Sequence, residues 1–277
     1  MSKTYSITEK LMFPATRVDE KRCFSHFRGK RVIITGASYG IGEQLALELG
    51  RFGAELILLA RTEDKLKDVR EKIISSGGKA DWYALDLRNE ISLEKLILEL
   101  QTEYEEIHYL IHCAGLSIRR SFMDSKERFH DVQRTMAINY FAPVRLSMAL
   151  YPQLEKAKGQ IVYLSAINTL FPAFPKWAAY QASKCAFNEW LTSVEPEMKE
   201  MSVAVTLVYL PLVRTRMISP TKIYDKAAAM NPEHAAGWVI NSMLSRKRAV
   251  KPWWTGIAVT GTKLFRRTIA SRIHKQP

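Results

Sequence analysis

Six short, near-continuous apolar runs separated by helical patterns constrain this chain more than any other feature. They are Arg31–Thr35 (RVIIT), Glu55–Ala60 (ELILLA), residues 82–85, 109–113 (YLIHC), 160–164 (QIVYL) and 203–209 (VAVTLVY). None shows the alternation of a strand with one wet face. Runs of this kind are buried on both sides, which requires a parallel sheet covered above and below by crossover helices. Helical patterns over 42–52, 63–75, 92–104, 126–154 and 178–198 supply those crossovers, with Pro196 near the end of the last. The expectation is an α/β fold, a doubly wound parallel sheet of six to seven strands in a single domain. A weak seventh strand is expected near 248–251.

The glycine-rich turn after the first run reads Gly36-Ala37-Ser38-Tyr39-Gly40-Ile41-Gly42. It links a strand to a helix, the setting in which glycines let the backbone approach a pyrophosphate while the helix N-terminus faces the phosphates. A dinucleotide is the expected ligand. At the end of the second run stands Arg61, where an acid would hold the hydroxyls of a bare adenosine ribose. A guanidinium there pairs with a 2′-phosphate, so NADP(H) is expected over NAD(H). The alternative is an arginine that simply faces water. Asp86 ends the third run, where an adenine amino group could bind. Tyr180 and Lys184, four apart in a helical stretch, share a helix face, and a cation beside a phenol favours the phenolate.

Together these stretches resemble the short-chain dehydrogenase/reductase family. The resemblance is carried by TGASYGIG, Asp86, Ala114 and Gly115 of HCAG, Asn139 in INYFAPVRLS, the strand IVYLS, YQASK, and Pro211 to Thr215 in PLVRT. These occur in the family's order over residues 31–216. The resemblance implies a Rossmann-like fold and assigns Tyr180 as proton donor or acceptor. It implies that Lys184 binds the nicotinamide ribose and lowers the Tyr180 pKa, that Asn139 holds a relay water, and that Thr215 anchors the carboxamide. No metal is required. It also implies a homodimer or homotetramer.

Two departures from the family pattern stand out. His112-Cys113 replaces an Asn-Asn pair, and both continue an apolar strand, so packing is expected rather than a metal or nucleophilic role. Where the family has a second serine after the fifth strand, this chain reads Ser165-Ala166. Ser165 is the expected carbonyl-orienting hydroxyl, with Thr169 or the absence of such a donor as alternatives. Beyond Thr215 the family places a lid, here near 216–235. Its Met217, Ile218, Ile223, Tyr224 and Met230 suit a hydrophobic substrate, or equally the inward face of short helices. The phrases AGLSIRRSF and YLPLVRTRMISPTKIY resemble the bacterial long-chain acyl-CoA or fatty aldehyde reductase branch. The expected activity is NADP(H)-dependent reduction of a carbonyl on an apolar, lipid-like small molecule. The alternative is a cofactor-binding relative with impaired catalysis, acting as a sensor or interaction partner.

Composition bears on what lies outside this body. The chain of 277 residues is 47% hydrophobic and 25% charged, which excludes disordered, collagen-like and disulfide-scaffold classes. Cys23, Cys113 and Cys185 are odd in number and scattered, and no secretory signal or spanning run is visible, so a cytoplasmic location is expected. The net charge of +13 is unevenly placed: +5 over residues 1–31, −1 over 32–240, and +9 over 241–277 with no acid. The expected organisation is a basic extension (1–30), the catalytic domain (31–250) and a basic amphipathic tail (251–277). In helical projection Trp254, Ile257, Ala258, Leu264, Phe265 and Ile269 oppose Lys263, Arg266 and Arg267, although Gly256 and Gly261 weaken the helix. Such a tail suits peripheral contact with an anionic membrane, or docking on the protein's own body or a second subunit. Solvated ends are the plainer alternative. No helix-turn-helix or zinc module accompanies the charge, so nucleic acid is not an expected partner.

Overall fold

The apolar runs become neighbours in one sheet. The computed structural model describes residues 4–264 apart from 220, 222, 223, 225 and 226. Its seven strands are β1 (Arg31–Thr35), β2 (Glu55–Ala60), β3 (Lys79–Ala84), β4 (Tyr109–His112), β5 (Gln160–Ala166), β6 (Ala204–Leu210) and β7 (Ala249–Val250). All pair in parallel, in the order β3-β2-β1-β4-β5-β6-β7. Chain direction across the sheet reverses at β1, whose Ile33 lies between Ile57 of β2 and Leu110 of β4. In doubly wound sheets the crevice at the carboxyl ends of two such strands is where ligands bind.

Successive side chains of each strand enter opposite layers. Val32, Ile34, Val162 and Leu164 pack with α3 (Gly40–Arg51), α4 (Glu63–Ser75) and α10 (Pro232–Ser245). Ile33, Leu110, Ile161 and Tyr163 pack with α5 (Glu90–Glu103), α7 (Ala142–Ala149), α8 (Tyr151–Lys156) and α9 (Ala178–Glu200). The N-terminal extension joins the first layer. Helices α1 (Ile7–Met12) and α2 (Glu20–Phe27) bury Phe13, Cys23 and Phe27 in that core, so this basic end is packed rather than solvated.

Two elements differ from expectation. β3 begins three residues earlier than its apolar run, because as an edge strand it leaves Lys79 and Asp81 exposed and buries Ala80. The expected helix over 126–154 is broken into α6 (Phe129–Met136), a wide π turn (Ala137–Phe141), α7 and α8. Pro143 and Pro152 sit in the first turns of α7 and α8. Pro143 has no N–H to give the carbonyl four residues back, that of Asn139, which accounts for the wide turn at that point.

Candidate active site

The loops after β1, β4 and β6 meet at the carboxyl end of the sheet. The buried Thr35 hydroxyl accepts the N–H groups of Cys113 and Ala114, each at 3.1 Å. Sequence reasoning passed over Thr35, since a β-branched residue at a strand end is unremarkable by itself. Gly36 has φ +71°, and a Cβ there would stand 2.9 Å from the Ala114 backbone. Gly40 has φ +61°, and its Cβ would meet the Thr215 methyl at 2.9 Å. Side chains at either position would force the loops apart, so Gly36, Gly40, Ala114 and Thr215 are drawn together by what the glycines lack. Ser38 is buried beside them, Ile41 packs against the first core layer, Gly42 is buried in the first turn of α3, and Pro211 is buried after β6. Tyr39 caps α3 with backbone alone and has the Arg216 guanidinium stacked 4.9 Å above its ring. A helix start without a side-chain cap, lined by a cradle that a Cβ would fill, fits a pyrophosphate.

Arg61 is exposed just beyond β2. Asp86 forms a salt bridge with Arg88, whose Nε donates to both carboxylate oxygens at 2.9 and 3.1 Å. Those bonds, with a smaller contribution from the Arg61 charge, hold the Asp86 carboxyl below its ordinary range. Two guanidiniums thus flank the carboxylate assigned to adenine. Arg88 was not among the predicted residues, although its spacing from Asp86 was a readable signal.

On the second layer, α9 carries Tyr180 and Lys184 one turn apart. The Lys184 ammonium donates to the Leu164 carbonyl at 2.9 Å and lies 4.6 Å from the Tyr163 ring centre. Burial lowers its pKa to about 8. Asn139 lies in the π turn, where such turns often mark functional positions. Its Oδ1 accepts the Leu116 N–H, and its Nδ2 donates to the Leu116 carbonyl and the Ser183 hydroxyl, all at 2.9 Å. A Cβ on Gly115 would stand 3.2 Å from Asn139 Oδ1 and 3.6 Å from Lys184 Nζ, which places Gly115, Asn139 and Lys184 side by side.

The expected lowering of the Tyr180 pKa is not found. Burial, with Tyr224 nearby, pushes the phenol above its ordinary value. Burial is the dominant cause, and the Lys184 cation faces the Leu164 carbonyl and the Tyr163 ring. A phenol that stays protonated through neutral pH is a proton donor.

Ser165 is buried in β5 and its hydroxyl lies 3.5 Å from that of Thr169. Thr169 donates to the Ala166 carbonyl at 2.8 Å and accepts from Asn188 Nδ2 at 2.9 Å. The two hydroxyls named as alternatives therefore adjoin, held by an α9 residue one turn beyond Lys184 that sequence reasoning missed. His112 is packed as expected. Its Nε2 is 3.0 Å from the Ser147 hydroxyl, its ring meets Phe187 edge-on, and burial lowers its pKa to about 3.

For Met230 the inward-facing alternative holds: it is wholly buried in the first core layer and exchanges backbone hydrogen bonds with Leu212 and Arg214. Met217 is exposed, Ile218 is half-buried, and half-buried Tyr224 lies beside Trp177; Ile223 is outside the described residues. The segment that follows β6 is tied at both ends to the N-terminal extension. Buried Glu9 pairs with Arg214, the residue before Thr215, and accepts the Ala229 N–H at 3.1 Å. The Tyr5 hydroxyl accepts the Asn231 N–H at 2.8 Å and bonds His234. Nothing local in the sequence connects Glu9 to Arg214.

The tail begins by docking on the same extension. Trp253 and Trp254 donate to the carbonyls of Leu11 and Met12, each at 3.2 Å, ahead of α11 (Thr255–Leu264). The predicted positions Phe265, Arg266, Arg267 and Ile269 fall outside the described residues, as do the side chains of Lys263 and Leu264. Among the described residues no helix is long and apolar enough to cross a membrane.

The short chain dehydrogenase family profile matches residues 30–224. The chain is 38% identical over 224 residues to a fatty acyl-CoA reductase of Acinetobacter baylyi, covering 80% of this chain and 76% of that protein. It is 37% identical over 225 residues to a fatty acyl-CoA reductase of Mycobacterium tuberculosis, covering 81% and 76%. Among solved structures, a metagenomic short-chain oxidoreductase in complex with NADP superposes with TM-score 0.69 at 27% identity, covering 81% of this chain and 96% of that one.

Proposed function

Because the chain belongs to the short-chain dehydrogenase/reductase family, we propose that this oxidoreductase is an NADP(H)-dependent reductase of a carbonyl on an apolar, lipid-like substrate. Long-chain fatty aldehydes, acyl thioesters and 3-oxoacyl thioesters are the leading classes. The observation that carries the reading is the grouping of Gly115, Asn139 and Lys184 one helical turn from Tyr180, beside the glycine cradle. The fatty acyl-CoA reductases named above support the substrate class, and the NADP-bound relative and Arg61 support the cofactor.

The β1–α3 turn, Arg61, Asp86 and Thr215 would hold NADPH by its pyrophosphate, 2′-phosphate, adenine and carboxamide, and the cofactor would supply the hydride that reduction of a carbonyl carbon needs. Tyr180 gives its phenolic proton to the carbonyl oxygen as negative charge develops there. Lys184 keeps a positive charge beneath the reacting group and binds the ribose hydroxyls. Asn139, already bonded to Leu116 and Ser183, positions a water for proton resupply. Ser165 or Thr169 orients the carbonyl. Phe129, Val132, Phe141 and Met148 are exposed along α6 to α7 and suit a homodimer contact.

The test is purified protein with NADPH and a panel of long-chain aldehydes, ketones, acyl-CoA and 3-oxoacyl thioesters. NADPH consumption with at least one class is expected. Tight NADPH binding with no turnover across the panel would favour the second reading, an impaired relative, which Ala166 at the serine position motivates.

A further inference from the structure

We propose that α1 and α11 together form a docking face for an anionic phospholipid bilayer at the edge of the active-site cleft. The described residues place four large apolar side chains in water there: Ile7 (88% exposed), Leu11 (67%), Trp253 (60%) and Ile257 (77%). Ile7 and Leu11 are one turn apart on α1, while Trp253 stands two residues ahead of α11 and Ile257 lies in its first turn. The indole bonds to the carbonyls of Leu11 and Met12 join the two pairs into one surface. A contiguous apolar patch drawn from both ends of a chain is not a by-product of a leftover hydrophobic residue.

The charge around this face decides what covers it. Lys10 and Lys251 are exposed beside it. Residues 1–18 contain one acid, Glu9, and it is buried against Arg214. Residues 241–277 contain nine Lys and Arg and no acid. Glu233 of α10, near Tyr5, is set against them. Apolar side chains with a tryptophan among basic residues match the interface of an anionic bilayer, where apolar insertion and headgroup attraction act together. A second copy seated on this face would bring its Lys10 and Lys251 against like charges.

The face also has a position. α11 packs against the turn Ile167–Leu170, which follows Ser165 and carries Thr169. A bilayer under α1 and α11 therefore lies beside the loop that lines the reacting end of the cleft. A lipid-like substrate could pass between them without crossing water, a consequence that rests on the reductase reading, whereas the docking does not.

Co-sedimentation of the full chain with phosphatidylcholine vesicles, with and without phosphatidylglycerol, tests the proposal. Wild-type protein is expected to pellet with the anionic vesicles and to be released by salt. Leu11→Glu combined with Ile257→Glu is expected to reduce the bound fraction at least about tenfold while leaving the melting temperature and NADPH titration unchanged. Wild-type protein left in the supernatant, or a double variant that pellets equally, would overturn it. So would sedimentation velocity showing that the same double variant splits a wild-type oligomer, since a second copy would then be the occupant. None of these readouts depends on turnover, so an inactive substrate panel leaves the outcome readable.

Discussion

In the proposed reduction Tyr180 and Lys184 would divide the acid–base work according to their environments. Burial raises the Tyr180 phenol, so that at neutral pH it can act as an acid rather than as a base, while burial lowers the Lys184 pKa to about 8. Tyr180→Phe removes the proton donor without changing the ring, and kcat for carbonyl reduction is expected to fall by about 10²–10⁴ with NADPH binding retained. Steady-state kinetics with fluorescence titration check both. Because the cationic form of Lys184 is the useful one, kcat/KM for reduction is expected to decline as pH rises through about 8, and Lys184→Met should abolish that limb along with most activity. Arg61→Ala should narrow the gap between NADPH and NADH dissociation constants by about tenfold or more, the value of a charge-assisted pair to the 2′-phosphate. Equal binding of both cofactors to wild-type protein would remove the role given to Arg61.

The N-terminal helix α1 ties down the segment that follows β6 through Arg214 and Ala229. Its Glu9 is caught between competing effects: burial raises the carboxyl, but hydrogen bonds from the Ser6 and Ala229 N–H groups, the Ser6 hydroxyl and Arg214 outweigh it and bring the pKa to about 2. A carboxylate lowered in the fold stabilises it above the unfolded-state value near 4.5, and that contribution is lost as pH falls toward 2. With allowance for solvent screening the contribution is about 1–3 kcal/mol. Glu9→Gln should therefore lower stability at neutral pH by about this amount and flatten the acid limb of the unfolding curve, as urea titrations across pH would show. Because Arg214 adjoins Thr215, the same variant is expected to raise KM more than it lowers kcat. Equal change in both would place Glu9 in the general fold rather than at the lid. The break at Pro143 is a second case of local chemistry setting site geometry, since the π turn it leaves holds Asn139 against Leu116 and Ser183.

At the scale of the molecule, two of the exposed apolar stretches invite different partners. The α6 to α7 face carries Phe129, Phe141 and Met148 and suits a second subunit, whereas the α1 and α11 face has Lys10 and Lys251 exposed beside Ile7, Leu11, Trp253 and Ile257. Phe141→Glu with Met148→Glu is expected to shift sedimentation from dimer to monomer while leaving vesicle binding intact. If mass is unchanged, subunit contact lies elsewhere.

Short-range chemistry was legible in the residues. Strands buried on both faces announce a parallel sheet, a glycine turn between strand and helix announces a phosphate cradle, and a tyrosine and lysine four apart must share a helix face, because each relation is set by backbone geometry within one element. The tertiary structure alone decided relations that cross elements. It turned Lys184 toward Leu164 and Tyr163 instead of easing the Tyr180 proton, put Met230 in the core, joined Ser165 to Thr169 and Asn188, and brought Glu9 to Arg214. It also packed the basic N-terminal extension against the core, Ala229 and Trp254. Burial and pairing depend on which distant segments share a layer, and no spacing within a single element encodes that.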